Sequence, residues 1–141
     1  MILTGFVDWY EMTKYWNAID CALHVPRSTY NWVETFSLSV VQAMASGKPI
    51  IGSDSGSVPY QIGPVGSLIK EGDVKSLNEK MCWMMSHPEE AKAIGAKLME
   101  RTVNSFSIQH LNDLFYATML EIQKGVYDEN KVWQIVTSNN L

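Results

Sequence analysis

Glu34 and Gln42 are the two side chains of this 141-residue chain whose type and spacing point first to ligand chemistry. They bracket Glu34-Thr-Phe-Ser-Leu-Ser-Val-Val-Gln42, in which Phe36, Leu38, Val40 and Val41, continued by Met44, fit the apolar side of a helix over residues 33–46. On such a helix the two polar groups stand about 12 Å apart along the axis and share one broad face. A ligand lying along that face would touch both, and a sugar, a diphosphate and a ribose have about those proportions. The helix N-terminus between them attracts an anion such as a diphosphate. A plainer reading stays open beside this one. Glu34 also suits a first-turn acid that favours the helix dipole, and Gln42 a solvated helix residue.

The elements that must position these groups follow from periodicity and turn chemistry. Residues 2–7 read as a strand, 10–18 as a helix, and 19–25 as a buried strand closed by Pro26. After the helix over 33–46, Gly47 fits a left-handed C′ position. Residues 49–52 form a strand, 58–62 a helical turn and 66–69 another short strand. Asp73 caps a helix running to Ser86. Ser86-His-Pro-Glu89 has the form of a capping box with proline in the first turn. Ser107 caps a last helix through Gln123, and residues 125–141 have no firm period. Alternating strands and helices with tight connections predict an α/β fold, a Rossmann-like parallel sheet with helices on both faces. Ligands then bind outside the carboxyl ends of the strands, which selects the loops 5–9, 26–35 and 53–59. Within the last, residues 53–57 suit a plain turn or a phosphate cradle.

Composition narrows the class. Hydrophobic residues make up 46% and charged residues 18%, ordinary for a globular protein, and the net charge is -4. No basic stripe occurs, which argues against nucleic acid as a partner. Cys21 and Cys82 lie in apolar surroundings without a C-x-x-C pattern and read as reduced core thiols of a cytoplasmic protein. No apolar run approaches the ~20 residues of a membrane-spanning helix, and the opening Met-Ile-Leu-Thr-Gly reads as strand rather than leader. His24 reads as a packed structural histidine, and His87 and His110 as solvated helix residues. No metal-ligand spacing and no nucleophile elbow are visible, so neither a metal nor a cofactor is expected.

The stretch Glu34-Thr-Phe-Ser-Leu-Ser-Val-Val-Gln42-Ala-Met-Ala-Ser-Gly-Lys-Pro49-Ile-Ile resembles the signature of glycosyltransferase family 4 (glycosyl transferases group 1), the retaining GT-B enzymes. That pattern reads Glu-x-Phe-Gly-Leu-x-x-x-Glu-Ala-Met-Ala-x-Gly-x-Pro-Val. The likeness continues through Pro26-Arg-Ser28, Gly52-Ser-Asp-Ser-Gly-Ser-Val-Pro59, Gly66-Ser-Leu-Ile-Lys-Glu-Gly-Asp73 and Asn104-Ser-Phe-Ser107, and covers roughly residues 2–124. The resemblance implies a hexosyltransferase-like enzyme of carbohydrate biosynthesis with a nucleoside-diphosphate sugar as donor. It gives Glu34 the catalytic-site role of bonding donor-sugar hydroxyls. Thr35, Phe36, Ser37 and Leu38 then lie along the sugar and diphosphate, Gln42 at the ribose, and Val7 on the base-side loop.

Three positions depart from the pattern: Gln42 replaces a carboxylate, Ser37 a glycine, and Tyr60 a frequent glutamate. An amide bonds a hydroxyl without charge assistance, so Gln42 implies weaker ribose binding. The resemblance also implies that the chain, with a domain over 1–124 and an unassigned tail over 125–141, is the later part of a GT-B C-terminal domain. An N-terminal acceptor domain or a separate subunit would complete it, and the isolated chain would be inactive. Arg27 reads either as a replacement for the diphosphate-binding cations of the absent part or as an ordinary surface arginine. Exposed edges imply a homo-oligomer, and peripheral membrane contact stays open. The other reading is a non-catalytic GT-B-like module acting in assembly or as a partner subunit.

Overall fold

The structure is a computed structural model that describes residues 2–124 and 134. Two compact units divide the chain, the first ending at Met99 and the second beginning at Glu100. The sheet belongs to the first. Its strands are β1 (Ala22–His24), β2 (Ile50–Ser53) and β3 (Ser67–Ile69), all parallel and in the order β1-β2-β3. Helix α1 (Met12–Ala18) precedes β1, α2 (Leu38–Ala45) joins β1 to β2, and α3 (Val58–Ile62) with a 3-10 turn joins β2 to β3. Then come α4 (Val74–Ser86), α5 (Pro88–Phe106) and α6 (Ile108–Gln123).

Alternation along the strands covers both faces of the sheet. Ile51 and Ile69 point to one face, where they pack with Met84 of α4 and Ala91 of α5, flanked by Cys21, Leu77 and Ile94. Gly52 points to the other face, where an added Cβ would stand 2.7 Å from Val58 Cγ1 and 2.5 Å from Ile62 Cδ1. That face therefore carries α3, pressed close because position 52 has no side chain. Helix α2 ends in a Schellman motif: Gly47 N donates to Met44 O at 2.9 Å, and Lys48 N to Ala43 O at 3.1 Å. Gly47 has the left-handed φ of 67° that the motif needs. A Cβ at Gly95 would overlap the Gly47 carbonyl, so α5 packs backbone to backbone against this turn.

In the second unit, Ser107 accepts from His110 N and caps α6. The Arg101 guanidinium stands 5.8 Å from the centre of the Phe106 ring. The tail 125–141 lies outside the described residues apart from residue 134.

Several expectations are corrected. Residues 2–7 form no strand among the described residues; Ile2, Leu3 and Phe6 are exposed, and no neighbouring strand accepts their backbone. The 5–9 loop is thus not a strand-end loop. Helix α2 starts at Leu38, not near residue 33. Ser86 forms no capping box; its hydroxyl donates to Cys82 O at 3.0 Å and Trp83 O at 3.1 Å. Cys82 is exposed rather than in the core. His87 is not simply solvated, because its ring stacks on Trp83 at 4.7 Å and 11°.

Glu71 ties the three loops at the carboxyl ends of the strands together. Its carboxylate accepts from Ser28 Oγ at 2.6 Å and Ser28 N at 3.0 Å. Ser28 Oγ lies 2.9 Å from Ser55 Oγ, and Glu71 N donates to Asp54 Oδ1 at 2.8 Å. Beneath them Ser53 Oγ donates to Pro26 O at 2.7 Å. The Ser28 and Ser55 hydroxyls, the Ser28 amide and the nearby Arg27 charge hold the Glu71 carboxyl below the usual glutamate range. Because the folded value is lowered, the stability from these bonds is present in full above the unfolded value and is lost as pH falls through the folded one. Glu71→Ala is expected to melt below the parent at pH 7, with the gap closing as pH is taken down through and below the glutamate range. Parallel thermal melts check this, and a gap that persists unchanged into acid contradicts it.

Candidate functional site

The site is built around the turn that enters α2. Gln61 is 0% exposed, and its side-chain amide grips the backbone of Ser37 on both sides. Ser37 N donates to Gln61 Oε1 at 3.0 Å, and Gln61 Nε2 donates to Ser37 O at 2.9 Å. Just upstream, Ser57 N donates to Glu34 O at 2.9 Å. A Cβ at Gly56, whose φ is 53°, would overlap that same carbonyl oxygen. Residues 34–37 thus lie against the loop after β2, and the helix begins only where this grip ends.

The start of α2 has no side-chain cap. Ser37 is the N-cap residue, with extended φ and ψ of -94° and 111°, yet its hydroxyl lies against Ser39 Oγ at 2.9 Å. Helix geometry leaves the first-turn N–H groups without intrahelical partners. Leu38, 70% exposed, leads this turn. A helix start without a side-chain cap and a carboxylate at the same sheet edge suit a polyhydroxylated anion.

Glu34 precedes the helix rather than riding on it, so the expected 12 Å axial spacing to Gln42 does not apply. Its side chain is 15% exposed and meets His24, the last residue of β1. His24 Nε2 stands 3.3 Å from Glu34 Oε2. The separation is that of an ion pair, but the angle is wrong for a hydrogen bond, and this buried nitrogen has no hydrogen-bond partner. The strand and the turn therefore bring a carboxylate and an imidazole to the same edge.

The remaining expected residues divide. Thr35, Phe36 and Leu38 are exposed around the helix start, and Ser37 is buried within it. Gln42 lies on α2, where its Oε1 accepts from Trp16 Nε1 of α1 at 3.4 Å. Val7 lies in the irregular segment ahead of α1, half-buried, and the bonds that tie the other loops together do not include it. Arg27 sits at the Glu71 loop, where a Cβ on Gly72 would be 3.5 Å from its guanidinium. Tyr60 is exposed on α3. Sequence reasoning passed over Gln61 and Glu71; Gly56, within the stretch read as a plain turn or a phosphate cradle, was the one visible signal. An apolar cavity of about 410 Å³ lined by Leu23, Met81, Met84 and Ala91 lies on the opposite face of the sheet. Among the described residues no group of three or more His, Cys, Asp or Glu is placed to hold a metal, and no helix is long and apolar enough to cross a membrane.

Known proteins resemble this chain in sequence and in fold. The family model described as glycosyl transferases group 1 matches residues 1–101. A trehalose synthase of Pyrococcus horikoshii is 40% identical over 77 residues, which is 53% of this chain and 18% of that protein. An MMP alpha-(1->4)-mannosyltransferase of Mycolicibacterium hassiacum is 38% identical over 79 residues, 54% of this chain and 19% of that protein. The matches thus span less than a fifth of the length of these relatives. Sucrose-phosphate synthase from Thermosynechococcus elongatus superposes with a TM-score of 0.74 at 21% identity, over 86% of this chain and 30% of that one. Anabaena HepE, solved in complex with UDP, superposes at 0.69 and 18% identity, over 77% and 29%. These two give the fold, the Rossmann-like sheet of GT-B glycosyltransferases. With the model matching residues 1–101 and the motif of residues 34–51 lying inside that span, the chain belongs to the glycosyl transferases group 1 family.

Proposed function

We propose that this chain is the donor-binding part of a glycosyltransferase that moves a sugar from a nucleoside-diphosphate sugar to an acceptor with retention of configuration. The observation that carries the reading is the uncapped start of α2, with the Glu34 carboxylate at the end of β1 on the same sheet edge. Amides of residues 38–40 and the helix dipole suit the diphosphate, and they stabilise charge that develops on it as the sugar leaves. Glu34 accepts bonds from the sugar hydroxyls. Gln42, further along α2, takes the ribose, and another domain or subunit supplies the acceptor.

A second reading is favoured by one contact. The Gln42 amide already accepts from Trp16, as it would in a non-catalytic module that keeps the fold for assembly. Titration separates the two. A panel of nucleoside diphosphates and their sugars, followed by melting temperature, raises it in the donor-binding protein and leaves it unchanged in the module.

Two substitutions sharpen the test. Glu34→Ala is expected to weaken nucleotide-sugar binding about 10- to 100-fold, the worth of a charged hydrogen bond. Free nucleoside diphosphate should bind as before. Calorimetric titration reads both, and equal sugar-nucleotide affinity in mutant and parent contradicts the role. Gln42→Glu is expected to tighten free nucleoside diphosphate, because the carboxylate keeps an acceptor for Trp16 and offers charge-assisted bonds to the ribose. Unchanged or weaker nucleotide affinity places the ribose elsewhere.

A further inference from the structure

We propose that His24 is a positioning residue, orienting the Glu34 carboxylate toward the donor sugar; this rests on the donor-binding reading above. The supporting geometry is local. His24 Nε2 is buried, has no hydrogen-bond partner, and stands 3.3 Å from Glu34 Oε2. A buried ring nitrogen without a partner is costly, and the Glu34 carboxylate 3.3 Å away fails only in angle. Such contacts commonly tighten when ligand arrives.

Two features make the pair directional. The Glu34 main chain is already fixed, because Ser57 N bonds its carbonyl and Gly56 packs against it. His24 ends β1 and is in register with Gly52 on the central strand, so its backbone is equally fixed. The freedom left is side-chain rotation. With Nε2 donating to one carboxylate oxygen, the other oxygen is left to accept from a sugar hydroxyl, and rotation of Glu34 away from His24 is opposed. His24 therefore acts on the sugar through Glu34 and not on the diphosphate, which is held by the start of α2.

The test has a ligand-free arm and a ligand arm. Long-range proton–nitrogen NMR of the labelled chain above the range where histidine is protonated is expected to show His24 as the Nε2–H tautomer, a preference lost in Glu34→Ala. An Nε2 without a proton would set two lone pairs against each other and overturns the pairing. In the ligand arm, UDP and UDP-glucose are titrated against the parent, His24→Leu and His24→Gln. His24→Leu is expected to lose about tenfold in affinity for UDP-glucose and nothing for UDP. His24→Gln, whose amide N–H reaches nearly the same point, is expected to restore most of the loss. Equal losses for UDP and UDP-glucose in His24→Leu, or no rescue by Gln, overturns the positioning role. Failure of the parent to bind UDP or UDP-glucose overturns the donor reading for these probes and with it the role at the sugar. The tautomer separately decides whether the two side chains are paired.

Discussion

The edge of the sheet depends on one buried amide. Gln61 spends both ends of its side chain on the backbone of Ser37, at 3.0 Å and 2.9 Å. A buried amide that lost this partner would leave polar groups unsatisfied, at about 1–3 kcal/mol for each. The bonds therefore fix where the chain stops running along the loop after β2 and begins to coil. They set the first turn of α2 at Leu38 and keep the Ser37 N–H from being offered to a ligand. They also leave Glu34 three residues clear of the helix, on a turn pinned by Ser57 N and roofed by Gly56. The Glu71 bonds to Ser28, on a carboxylate facing solvent, hold the outer rim of the same edge.

Much of this fold was legible because local chemistry and tertiary packing agree. The helical turn over 58–62, the Asp73 and Ser107 caps and the Gly47 turn each follow from a residue whose preference the packing did not oppose. Where they disagree, packing or its absence decided. Residues 2–7 have strand composition but no neighbouring strand among the described residues, so their preference goes unused. The apolar periodicity of residues 36–44 is real, yet it extends too far upstream, because nothing in Glu34-Thr-Phe-Ser announces that a glutamine 24 residues after Ser37 will claim that residue's backbone. The Ser86 motif has the right letters, but its hydroxyl turns back onto the carbonyls at the end of α4.

The candidate site was legible in composition and less so in geometry. Glu34 and the helix start are neighbours, as their order suggests. Gln42 is on the same helix but already shared with Trp16, a contact between residues 26 positions apart that no spacing rule reveals. His24 looked like packing and turned out to face Glu34, because strand β1 ends where the turn passes. The family match and the two structural neighbours give the family and the fold. The particular pairings (Gln61 with Ser37, His24 with Glu34, Glu71 with Ser28) belong to the side chains of this chain.

The central claim is that the open start of α2 receives the phosphates of a nucleotide donor. Amide chemical-shift mapping of the nitrogen-labelled protein during titration with nucleoside diphosphates tests it most directly. The account expects the largest saturable changes at the amides of Leu38, Ser39 and Val40, with smaller ones at Gly56 and Glu34. Changes centred instead on the apolar cavity at Leu23, Met84 and Ala91, or no saturable change with any nucleoside diphosphate, would contradict it.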